Sequence, residues 1–207
     1  MLILIKKGYM KSFITLLLLM IRGIRIIPHG ILLNTSKNKD IIKYEVRKWM
    51  EILKMRETLY IGFCKLMLFY PEFRNLFYYR LGHNKSRFIS FLCPKMNTLF
   101  INCPNIGKGL FIQHGFATII EAKSIGNDCW INQQVTIGFS NESDCPIIGN
   151  HVIITAGVKI IGNVTIGDNS IIGANSVVVK DVPEHCTVVG VPAYIVKRNG
   201  SKVKEYL

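Results

Sequence analysis

A chain of 207 residues, 49% hydrophobic and 19% charged, holds enough apolar material for a packed core, which excludes bulk disorder. Its 26 Lys and Arg against 13 Asp and Glu give a net charge of +13, which attracts phosphate-bearing ligands, nucleic acid or an acidic membrane surface. No aromatic-interleaved RNA motif, zinc-finger spacing or helix-turn-helix signature accompanies that charge, so nucleic acid is not an expected partner.

The charge is concentrated early: residues 1–56 carry twelve Lys and Arg against Asp40, Glu45 and Glu51. The opening "KKGYMKSFITLLLLMIRGIRII" encloses an apolar run of nine residues, Phe13 to Ile21. A bilayer span takes about 20, and no small-residue cleavage site follows. A basic amphipathic helix is expected instead, packed on the body or resting on an anionic membrane face. Met10 offers an alternative start. Residues 36–93 read as helical. In "SKNKDIIKYEVRKWMEILKM", Ser36 or Asn38 is the N-cap candidate, and Ile41, Ile42, Val46, Trp49 and Leu53 follow at helical spacing. "LYIGFCKLMLFY" reads as a buried helix. "PEFRNLFYYRLGH" opens with Pro71 and Glu72, which suit a first helical turn. Its cluster Phe73, Phe77, Tyr78 and Tyr79 reads as core or subunit interface.

After Pro94 the period changes. Ile148, Ile154, Ile160, Ile166, Ile172 and Val178 recur every six residues, and Val152, Val158, Val164, Ser170, Ser176 and Val182 follow each by four. The same step links Ile106 to Ile112 and runs through Ile125, Ile131 and Ile137. It slips by one residue between 112 and 125, and breaks between 137 and 148 around "FSNESDCP". A six-residue step suits a three-sided β-helix with Gly, Asn and Asp at the corners and about eighteen residues per coil. Residues 106–182 make about four coils, with 138–147 thrown out as a loop. The six cysteines (Cys64, Cys93, Cys103, Cys129, Cys145 and Cys186) show no C-x-x-C pair, so reduced thiols and a cytoplasmic location are expected, with residence at the inner membrane face the alternative.

These rows resemble the left-handed β-helix (hexapeptide-repeat) acyltransferases. More narrowly, "YYRLGH", "IGKGLFIQHG", "INQQVTIG", "CPIIGNHVIITAGVKIIGNVTIG" and "IGANSVVVKDVPEHCTVVGVPAYIV" resemble serine O-acetyltransferases. The resemblance implies an α+β fold: a helical N-terminal region (1–95), a left-handed parallel β-helix (96–198) and a tail (199–207). It implies an acetyl-CoA-dependent O-acetyltransferase, with L-serine as acceptor, direct transfer, and a homotrimer or a hexamer. His114 is the implied general base in a cleft between subunits, because imidazole titrates near the operating pH and a serine hydroxyl needs a base. Acetyl-CoA would run past Thr136, Gly138, Thr155, Ala156, Gly157, Gly173 and Ala174, its phosphates meeting Lys159, Lys180, Lys197 and Arg198.

Three positions depart from that pattern. The family's Asp-x-His-Pro is Ile101-Asn102-Cys103-Pro104 here, so the carboxylate that orients the histidine is missing. The residue before the base is Gln113 rather than Asp, and the loop histidine is replaced by Cys145 before Pro146. Glu121 is the nearest replacement for the orienting acid, a solvated corner being its alternative reading; Glu142 and Asp144 are the other acids considered. Gln113, Asp144 and Cys145 are the acceptor-contact candidates. These losses, with the basic apolar N-terminus, make a sugar or nucleotide-sugar in surface-polysaccharide assembly the alternative acceptor. His114, His151 and His185 fall at different phases of the repeat, so no metal is expected. The ending "KVKEYL" lacks the family's terminal isoleucine, which puts docking to a cysteine-pathway partner in doubt.

Overall fold

The computed structural model describes residues 23–142 and 144–207. The expected apolar helix around residues 13–21 lies outside that range. Among the described residues five helices precede the strands: α1 (Ile27–Thr35), α2 (Lys39–Ile52), α3 (Leu59–Phe69), α4 (Pro71–Leu81) and α5 (His83–Ile89). Helix α2 buries Ile42, Val46 and Trp49, the face its spacing predicts. Of the two expected N-caps Asn38 holds the position, its carbonyl accepting from the Ile42 N–H (3.0 Å), but its side chain makes no cap bond. The Asn38 amide donates to the Arg80 carbonyl (2.7 Å), and Ser36 instead closes α1 through its own N–H to Leu32 O (3.0 Å). Pro71 and Glu72 occupy the first turn of α4, and Gly82 (φ 79°) ends it.

Beyond the helices the chain winds into a parallel β-helix with three faces. One face stacks β1 (Leu99–Ile101), β3 (Thr118–Ile120), β6 (Thr136–Gly138), β9 (Lys159–Ile161) and β12 (Val177–Val178). The second stacks β4 (Ser124–Ile125), β7 (Ile147–Ile148) and β10 (Thr165–Ile166), extended by the single bridges Ile106 to Ile125 and Ile166 to Val182. The third stacks β2 (Phe111–Ile112), β5 (Trp130–Ile131), β8 (Ile153–Ile154), β11 (Ile171–Ile172) and β13 (Cys186–Val189). There are five coils rather than the expected four, because the stack begins at Leu99 and ends at Val189, outside the Ile106–Val182 window at both ends.

The hexad aliphatics point inward in columns. Ile106, Ile125, Ile148, Ile166 and Val182 form one, Ile112, Ile131, Ile154, Ile172 and Val188 another, none more than 8% exposed. Each such burial is worth roughly 1.5–3 kcal/mol. Ser170 and Ser176, in a row otherwise of valines, are fully buried but satisfied: Ser170 donates to Pro183 O (2.8 Å) and Ser176 accepts from the Gly190 N–H (3.1 Å). The slip in the repeat has a definite place. The inward positions Ile112 and Ile120 stand eight apart instead of six, the surplus lying at the corner that holds His114, and the five-residue step from Ile120 to Ile125 leaves a net slip of one.

Residues 199–207 are not a free tail. β14 (Tyr194–Arg198) and β15 (Ser201–Tyr206) form an antiparallel hairpin that continues the third face from β13. At the other end the helices close the first coil. Arg80 pairs with buried Glu45 (2.6 Å) and donates to the carbonyls of Ile106 (2.7 Å) and Gly107 (2.6 Å). Trp49 donates to Leu110 O (2.9 Å) and stacks edge-on against Phe111, centroids 4.6 Å apart. Asn75 of α4 donates to the carbonyls of Met96 and Leu99. These contacts fix α4 across the start of the β-helix.

Candidate active site

His114 stands at the corner between the third and first faces. Its backbone is left-handed (φ 64°), as are Gly115 (φ 52°) and Ala117 (φ 51°). Non-glycine residues rarely adopt this conformation, and a fold that holds one there has over-determined the turn. The Phe116 N–H closes it onto His114 O (2.7 Å), and the Gln113 N–H anchors it to Ile131 O (2.9 Å). The imidazole is left exposed. Gln113, Asn132, Thr155 and Gly173 occupy equivalent corner positions, each N–H bonding the carbonyl before the next one in the stack or, for Gly173, Val188 O. The structure therefore places Gln113, His114, Thr155, Ala156, Gly157, Gly173 and Ala174 along one edge.

The sequence reading missed Glu72. In the first turn of α4 it is only 8% exposed, and a Cβ on Gly115 would lie 3.1 Å from its own Cβ. Gly115 is thus glycine for two reasons: its φ, and the close approach of α4. Burial pushes the Glu72 carboxyl above the usual carboxylate range. The backbone N–H of its own helix start, the charges of His114 and Arg74, and the His114 N–H draw it back. A buried carboxyl thus lies behind the His114 turn, supplied by the helical region and not by the coil. Its only sequence signal was an acid after Pro71, which a helix start explains without reference to a histidine forty-two positions on.

Within one chain Glu121 is not at the His114 corner. It sits at the far end of β3, at the corner between the first and second faces, where it accepts from the Asn102 amide (2.6 Å). The solvated-corner alternative is closer to what is seen. Cys145 is at the same corner, its Sγ 3.5 Å from Glu121 O, and burial raises its thiol pKa, which argues against a thiolate nucleophile. Asp144 organises the loop, accepting from the Ser140 and Asn141 N–H groups (2.7 and 3.1 Å) and bonding the Ser140 hydroxyl. With Asn102, Pro104, Lys123 and Phe139, Glu121 and Cys145 line a cavity of about 420 Å³. Gly138 borders this corner, and nothing lies within 4 Å of where its Cβ would be.

The remaining candidates divide. Thr136 and Lys159 are register partners on the first face; Lys159 spends its ammonium on Gln134 O (2.6 Å). Gly173 lacks a Cβ for the coil's own sake, since one would meet Val189 Cγ1 at 2.6 Å. Lys180 donates to Leu207 O (2.7 Å), and Arg198 is paired with Glu205 (2.6 Å). Lys197 is exposed on β14. His151 and His185 lie at a different corner, their N–H groups bonded to Asn127 O and Asp168 O, so the three histidines do not converge. Among the described residues no cluster of metal-ligating side chains is present.

Residues 145–180 match the family described as bacterial transferase hexapeptide (six repeats). The chain is 36% identical over 152 residues to a serine acetyltransferase of Synechococcus elongatus, covering 67% of this chain and 62% of that protein. It is 47% identical over 102 residues to one of Staphylococcus aureus, covering 47% and 48%. The matched segments thus span between about half and three fifths of those relatives. Among solved structures, serine acetyltransferase of Neisseria gonorrhoeae in complex with serine superposes with a TM-score of 0.64 at 29% identity, covering 82% of this chain and 72% of that one. A serine acetyltransferase in complex with CoA gives 0.61 at 27%, covering 81% and 73%.

Proposed function

We propose that this chain is a serine acetyltransferase-like member of the hexapeptide-repeat transferases, its coil the left-handed β-helix of that family, and that it transfers an acetyl group from acetyl-CoA to the hydroxyl of L-serine. The observation that carries the reading is His114: an exposed imidazole on a left-handed corner, backed by Glu72 and followed along the same edge by Thr155, Ala156, Gly173 and Ala174. The names of the two superposed proteins, one with serine and one with CoA, support both substrates.

In this reading His114 takes the proton of the acceptor hydroxyl as its oxygen bonds to the thioester carbonyl carbon. The tetrahedral species then breaks its C–S bond, and the departing CoA sulfur receives that proton from the imidazolium. No covalent enzyme intermediate forms. The first face supports assembly into a trimer. Its outward positions Phe100 and Ile119 are register partners at 51% and 38% exposure, flanked by Phe116 and Phe139. Covering that face with another subunit would bring the loop corner of one chain toward the His114 corner of the next.

A second acceptor follows from one replacement. Cys145 puts a neutral thiol in the cavity, beside Phe139 and the charged Glu121 and Lys123, so a sugar hydroxyl is the competing substrate. Thiol release from acetyl-CoA, measured against L-serine and a panel of amino-sugar nucleotides, separates them. His114→Ala should lower kcat by about two to four orders of magnitude, and turnover at the native rate in that variant would remove His114 from the reaction.

A further inference from the structure

The helical region exposes apolar side chains that neither its own core nor the β-helix uses. Ile24, Ile27 and Ile31 follow one another along α1 and the turn before it, at 64%, 60% and 58% exposure. Phe88 and Phe91, in and just after α5, stand out at 77% and 73%, and Phe69 at the end of α3 at 59%. These positions are neighbours in space. Arg25, Phe69 and Leu92 line one pocket, which joins the starts and ends of three segments. At the opposite end of α1 the Tyr60 hydroxyl of α3 donates to Asn34 (3.2 Å). The exposed face therefore runs along α1 with α3 and α5 beside it. Monomeric proteins rarely leave so large an apolar area uncovered without a use.

Charge decides what covers it. The chain has no Asp or Glu between Gly23 and Lys39, between Thr58 and Pro71, or between His83 and Ile120. Arg25, Lys85, Arg87 and Lys95 are all exposed on these same segments. A second copy of the chain would bring this uncompensated positive charge against itself. An anionic lipid interface supplies both requirements at once, acidic headgroups for the cations and an acyl boundary for the projecting isoleucines and phenylalanines. No helix among the described residues is long and apolar enough to cross a membrane, so this face would lie along the lipid interface.

We propose that the face formed by α1, α3 and the α5 turn docks this protein on an anionic membrane surface. The test is co-sedimentation of the full chain with vesicles of phosphatidylcholine alone or with about one third phosphatidylglycerol. The expected result is binding to the acidic vesicles only, weakening as salt is raised. Phe88→Ser with Phe91→Ser should reduce it at least about tenfold, and Ile27→Ser with Ile31→Ser, on a different helix, should do the same. Equal partitioning into both vesicle types, or native binding by both double variants, overturns the proposal. So does a fall in assembly mass of the variants in sedimentation velocity without lipid, which would make the face a contact between copies.

Discussion

His114, the base of the proposed reaction, and Glu72, buried behind the Gly115 turn, come together from different parts of the chain. The histidine is set by a surplus in the hexad spacing, the glutamate by a helix that closes the first coil. Replacing Glu72 by Gln keeps size and polarity and removes the charge. The expected outcome is about a tenfold loss of kcat with little change in KM. A native kcat with a lowered melting temperature would reduce Glu72 to a packing role. The sequence contained the base in plain view, since "IGKGLFIQHG" carries it in a repeat context. It could not contain the partner, because nothing local links position 72 to position 114. Glu121 looked like the nearest acid in sequence, but a three-residue strand separates it from the corner, and its carboxylate is already engaged by Asn102.

At the scale of the element, the coil is held by its corners as much as by its inward columns. Gly107, Gly126, Gly149 and Gly167 stack at one of them. A Cβ on Gly126 would meet the carbonyl oxygen of Gly149 at 2.5 Å, and one on Gly167 the Glu184 nitrogen at 2.4 Å. Both obstacles are backbone, which cannot rotate aside. Beside them Asn127, Asn150 and Asp168 form a ladder: Asn150 Oδ1 accepts from the Asn127 N–H (2.9 Å) and Asp168 Oδ1 from the Asn150 N–H (2.7 Å). Gly126→Ala should therefore cost about 1–3 kcal/mol by forcing two coils apart, read as a shifted urea midpoint. A midpoint equal to the native one would mean the stack is looser than the contacts indicate. The hexad made the corners and columns legible, since its period fixes which residues turn and which point inward. The coil count was read short because β1 and β13 lie beyond the clean part of the repeat.

For the whole molecule, the first face of the β-helix is the surface that the proposed trimer would cover. Ile119→Glu places a charge at its centre without touching the buried columns. Sedimentation equilibrium should find the native mass about three times the variant's, with circular dichroism unchanged and activity lost. An assembly that keeps its mass in the variant would move the subunit contact elsewhere. Composition, the helical stretch, the hexapeptide rows and the histidine corner were all determined by the sequence itself, because periodicity and turn chemistry are local properties that neighbours in the chain encode. The tertiary structure alone decided that α4 lies across the first coil, that Arg80 and Trp49 bind the helices to it, and that Lys180 and Arg198 are spent on the C-terminal hairpin. Those outcomes depend on which surfaces meet when separate elements pack, and burial, unlike periodicity, is settled only by residues far apart in the chain.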